Sequence, residues 1–89
     1  MLTLPPVLTH TEAAGFSGGL KQLVNQEGAQ VVADASSVTE FDSSALAVLL
    51  ACRREALVAG KDFSVRGLPP QLRQLAGLYG VAELFPATA

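Results

Sequence analysis

The stretch that most limits how this chain can fold is Ala45 to Ala59, fifteen residues whose only charges are Arg53, Arg54 and Glu55. At 3.6 residues per turn Ala45, Val48, Leu49, Cys52, Ala56 and Ala59 share one side. These are mostly small side chains, suited to close packing on a sheet. Leu46, Leu50 and Leu57 lie beside that stripe, and Ala47, Ala51 and Val58 beyond it. A helix apolar nearly all round is enclosed on more than one side. Either flanking helices cover the extra surface or a partner protein covers part of the first two turns. The cations in its carboxyl half suit the helix dipole.

Immediately before this helix stands Asp42-Ser43-Ser44. Side-chain oxygens there can accept the orphan amide hydrogens of the first turn, so the junction is an N-cap. Free N–H groups and the positive end of the dipole would also tolerate a phosphate. Ser43 therefore has two readings, a cap or an exposed phosphate acceptor. A phosphate would add about −1.5 to −2 charges next to Asp42, which is repulsive unless the amides outweigh it.

The rest of the chain alternates helices and strands. Leu2-Thr3-Leu4 fits a short edge strand, stopped by Pro5-Pro6. A helix over about 11–27 is expected, capped by Thr11, with Phe16, Leu20 and Leu23 or Val24 inward and Gly15, Gly18 and Gly19 weakening it. A central strand over about 30–34 lacks alternation, which predicts burial on both faces. Residues 36–40 read as loop, the long helix as about 44–59, and a strand as about 62–66. A third helix over about 70–79 turns Leu72, Leu75 and Leu78 or Tyr79 inward. Helix-length connections between strands imply parallel neighbours with right-handed crossovers. The fold class is α/β, one domain over 1–89.

Composition excludes several function classes. Net charge is −2 over 89 residues, without the basic footprint of a nucleic-acid binder. No apolar run reaches the roughly 20 residues needed to cross a bilayer, and the first residues do not read as a secretory signal. A single cysteine, Cys52, fits a buried structural role and a cytoplasmic location. Hydrophobic residues make up 49% and charged ones 16%, which leaves apolar surface that favours a permanent partner.

Catalysis finds little material. His10 is the only histidine, and no Cys/His/Asp cluster has metal-ligand spacing. Gly15-Phe16-Ser17-Gly18-Gly19 lies inside a helix pattern rather than at the strand-to-helix turn of a hydrolase elbow. No Gly-Lys-Ser/Thr follows the glycines, as a P-loop requires. No catalytic residue, metal or cofactor is expected.

Val31-Val32-Ala33-Asp34-Ala35-Ser36 followed by Asp42-Ser43-Ser44-Ala45-Leu46-Ala47-Val48-Leu49-Leu50 resembles the signature of the STAS domain family. That family includes anti-sigma factor antagonists and cytoplasmic domains of sulphate transporters. Gly67-Leu68-Pro69 and Leu75-Ala76-Gly77-Leu78-Tyr79-Gly80-Val81 are similar to the MlaB-type STAS subunits of bacterial Mla phospholipid-transport systems. The resemblance implies a mixed, mainly parallel sheet with helices packed on it. It implies a non-catalytic regulator bound to the cytoplasmic ATPase subunit of an ABC transporter, peripheral to the inner membrane only through that complex. The docking residues implied are Asp42, Ser43, Ser44, Leu46, Ala47, Leu50 and Arg54. The alternative is an anti-sigma factor antagonist switched by phosphorylation of Ser43. The family's Gly is Ala45 here, and Thr9 stands where many members carry an acid. Too few residues precede His10 for two full strands, so the amino-terminal strand is short or missing. The exposed sheet edge left behind could pair with a second copy.

Overall fold

A computed structural model describes residues 1–88. Three strands, β1 (Leu2–Thr3), β3 (Gln30–Asp34) and β5 (Asp62–Arg66), form one sheet in the order β1-β3-β5. A second, two-stranded sheet joins β2 (Val7–Leu8) to β4 (Glu40–Phe41). Every one of these pairs is parallel. The amino-terminal strands are thus present but two residues long, because Pro5 and Pro6 separate them and Pro lacks the ladder N–H. Glu40, expected as loop, is instead part of a strand in which it and Phe41 pair with Val7 and Leu8. The outer edge of β5 is not free. Val65 donates to the Pro86 carbonyl and accepts from Thr88, so the last described residues run alongside it.

The double-sided burial expected of β3 is not found. Val31 and Ala33 are fully buried, whereas Gln30 is exposed and Val32 and Asp34 are half-buried. Their register partners behave alike: Val65 is buried beside Ala33, and Arg66 is exposed beside Asp34. One face of the sheet carries the core and the other meets solvent. An all-apolar stretch of only Val31-Val32-Ala33 is too short to separate the two cases by pattern.

Helix one is broken. α1 runs His10–Gly18 and α2 runs Leu20–Asn25, with Gly19 between them. Successive glycines add backbone freedom and no packing there, which favours a break. The cap is Thr9 rather than Thr11, and its hydroxyl donates to Glu12 in the first turn. Leu20 and Val24 point into the core and Leu23 does not. The Lys61 ammonium closes the far end of α2, donating to the carbonyls of Val24 (2.9 Å) and Glu27. A cation suits the negative end of a helix.

α3 (Ser44–Val58) crosses the buried face of the sheet. Ala45, Leu46, Val48, Leu49, Cys52 and Ala56 are buried, while Ala59 lies past the helix and is exposed. Gly60, at φ 72°, ends it: its own N–H reaches Leu57 and the Lys61 N–H reaches Ala56. α4 (Pro70–Leu78) ends in the same way at Gly80. It buries Leu72 and Ala76 and half-buries Leu75. Leu78 and Tyr79, one of which was expected inside, are both outside, at 84% and 61% exposure. The Gly80 turn follows too soon for either to swing under the domain.

Candidate functional site

The start of α3 is set by a carboxylate. Asp42 Oδ1 accepts the Ser44 N–H at 2.8 Å, and Asp42 Oδ2 accepts the His10 N–H at 3.1 Å. One side chain thereby satisfies the first-turn amides of two helices, α1 and α3. The Ser44 N–H does most to hold Asp42 below the usual carboxylate range, with the Ser44 hydroxyl and the His10 amide and charge adding to it. Ser43, the other candidate cap, makes no capping hydrogen bond. Its backbone is already helical, at φ −61° and ψ −16°, so its side chain leaves the helix axis and is exposed.

Upstream, the loop from β3 to β4 is held by Asp34. Its Oδ1 accepts both the Ser36 N–H (3.0 Å) and the Ser36 hydroxyl (2.6 Å). These bonds, the hydroxyl first, lower the Asp34 pKa, and the Arg66 charge assists. Behind this loop sits Gly67, at φ 66°. A Cβ on Gly67 would lie 2.7 Å from the Ser36 Cβ, so the loop and the end of β5 touch where only hydrogen fits. The contact fixes the path of the chain toward β4 and Asp42.

Beyond Ser43 a groove of about 300 Å³ opens along α3. It is lined by Ser43, Leu46, Ala47, Leu50, Tyr79 and Val81. Four of the expected docking residues thus share one surface. Leu46 is a minor part of it, being 4% exposed, and Asp42 and Ser44 stand at its head rather than in its lining. Arg54 is exposed one turn past Leu50, outside the groove. Tyr79 and Val81 form the opposite wall, and sequence reasoning did not place them in the site. The run Leu75 to Val81 stands out in the sequence, but an aromatic at a helix end reads as core until the Gly80 turn is seen. On the other side of α3 lies a smaller groove of about 200 Å³, against α1, reaching from His10 and Ala13 to Ser44 and Ala47. Ala47 borders both.

Cys52 is fully buried, and burial pushes its thiol up to about 12. Among the described residues no group of three or more His, Cys, Asp or Glu could hold a metal ion. No helix of the described residues is long and apolar enough to cross a membrane.

A family model described as "Mlab, STAS domain" matches residues 1–86. The chain belongs to the STAS domain family, in its MlaB group. No curated protein matches it. Among solved structures, this STAS domain is similar to that of the anti-sigma factor antagonist SpoIIAA in its unphosphorylated form. The TM-score is 0.74 at 15% identity, over 98% of this chain and 76% of the other. At that identity the likeness concerns the fold. STAS domains are a regulatory and binding fold, and the Asp42-Ser43 junction of this one heads an open apolar groove.

Proposed function

We propose that this STAS domain is a regulatory subunit of an Mla-type ABC transporter. It docks on the cytoplasmic ATPase subunit through the groove beside Ser43 and supports phospholipid transport that maintains outer-membrane lipid asymmetry. It sits at the inner membrane through that complex alone and performs no catalysis. One observation carries the reading: an exposed helix start opens onto a groove with apolar walls, Leu46, Ala47, Leu50, Tyr79 and Val81. Apolar surface gathered beside a few polar groups is the usual form of a protein-binding patch. Asp42 keeps the helix start rigid, so a partner meets a prepared surface.

The test is binding to a purified Mla-type ATPase subunit. Tyr79→Ala and Ser43→Arg, both at exposed positions, should weaken the complex at least tenfold while the thermal midpoint of the isolated domain stays unchanged. Binding that both variants leave intact refutes the reading.

A second reading rests on the Ser43 hydroxyl, exposed and free of any capping bond. In it, an anti-sigma factor with kinase activity phosphorylates Ser43 and so controls partner choice. Incubation with such a kinase and ATP, followed by intact-mass measurement, separates the two. The transporter reading expects no added phosphate.

A further inference from the structure

α1 is held far less firmly than the elements on either side of it. Nine residues are too few to keep a helix folded without tertiary support, and this one offers little to pack. Ala13 is its only buried side chain, and Phe16 is half-buried. It faces α3 with Ala13, Ala14 and Ser17, small side chains that leave the groove of about 200 Å³ between the two helices. Gly15 weakens its middle and Gly19 ends it. Crowding requires neither glycine, since an added Cβ would meet nothing within 4 Å at either position.

The flanks are different. Leu8 before α1 and Leu20 after it are buried, and Val24 and the Lys61 bonds hold α2 beyond. Residues 9–19 are therefore a loosely packed span between two fixed points. Among the described residues, one side-chain hydrogen bond reaches the span from elsewhere: Asp42 Oδ2 accepts the His10 N–H at 3.1 Å. Segments with few buried apolar contacts open first, at a lower free energy than global unfolding.

We propose that residues 9–19 form a flap over α3, pinned at Leu8 and Leu20 and latched by Asp42, which opens while the rest of the domain stays folded. Opening uncovers Val48, which lines the groove beneath α1 and is only 1% exposed when the flap is closed. Ala47 borders that groove and the one walled by Tyr79, so opening merges the two into one apolar face from Val48 to Tyr79. The flap does not depend on the transporter reading. If both hold, its opening sets how much of α3 the ATPase meets.

The experiment uses the chain alone, so its failure leaves the docking reading untouched. Native-state hydrogen exchange should show the α1 amides exchanging through an opening that leaves α2 and α3 protected. A second probe is Val48→Cys, treated with a thiol reagent at about pH 8. The introduced thiol reports the flap, while Cys52, one turn further along α3 and outside the groove, reports global unfolding. Asp42→Asn keeps an oxygen for the Ser44 N–H but sets an amide NH2 against the His10 N–H, so both α1 readouts should quicken about tenfold or more. Gly15→Ala should slow both about fivefold. Lys61→Met removes bonds that survive in the open flap, so it should quicken α2 exchange and Cys52 labelling and leave both α1 readouts where they were. An introduced thiol that reacts no sooner than Cys52 overturns the proposal. So do α1 amides that quicken with those of α2 in Lys61→Met, or an Asp42→Asn variant whose α1 exchanges no faster than wild type.

Discussion

Replacing Gly67 by alanine isolates the contact that steers the chain toward β4 and the start of α3. The residue has φ 66°, and an added Cβ would meet the Ser36 Cβ at 2.7 Å and its Cα at 3.0 Å. The left-handed conformation costs an L-residue about 1–2 kcal/mol. Forcing a methyl against packed atoms adds about 1–3 kcal/mol. Gly67→Ala should therefore lose about 2–5 kcal/mol, out of the roughly 4–13 kcal/mol expected of 89 residues at about 0.05–0.15 kcal/mol each. Gly60→Ala is the control, since φ there is 72° but nothing lies within 4 Å of an added Cβ. It should lose only about 1–2 kcal/mol. Urea unfolding of both variants gives the difference directly. A double-mutant cycle with Ser36→Gly should recover part of the Gly67→Ala loss, because the nearest atom is gone. If Gly67→Ala unfolds at the same urea concentration as Gly60→Ala, the steric argument is wrong.

Two further expectations concern pH. Burial raises the Cys52 pKa to about 12, so the folded thiol stays protonated while the unfolded one ionises near about pH 8.5. Its contribution is fully present below that pH and is lost between there and about pH 12; the alkaline loss should shrink in Cys52→Ala, and native protein should resist thiol reagents at about pH 8. Asp34 and Asp42 are shifted the other way, through bonds from Ser36 and from Ser44. Their contribution is present above the ordinary carboxylate pKa and is lost as pH falls from about 4 through the lowered folded values. Urea midpoints against pH should show a shallower acid limb in Asp34→Asn and Asp42→Asn.

The α/β architecture is legible because its main elements carry local signals. An apolar helix between an Asp-Ser-Ser start and Gly60 leaves little alternative, and the strand after Lys61 follows a glycine turn. What was not legible depends on long-range geometry. The Gln30–Asp34 pattern does not tell whether a second layer covers Val32, since the answer lies in where the helices go. Glu40 and Phe41 become a strand only because Val7 and Leu8 pass beside them. The head of the site was readable from Asp42 and Ser43, but not the division of labour, in which the carboxylate does the capping and the hydroxyl is left over. Tyr79 escaped because a side chain so far along the chain from Ser43 joins the groove only once α4 is folded against α3.

Two polar clips of opposite sign hold the helical layer at opposite ends. Asp42 ties the beginnings of α1 and α3, and Lys61, just past the end of α3, grips the carbonyls that finish α2. Between them the helix meets the core through Ala45, Leu46, Val48, Leu49, Cys52 and Ala56, and its small side chains let it lie close to the sheet. Tied at both ends, α3 is held in place on the side that carries Ala47. The proposed partner would therefore have to match the contour it finds there, with little of its binding energy spent on reshaping the host.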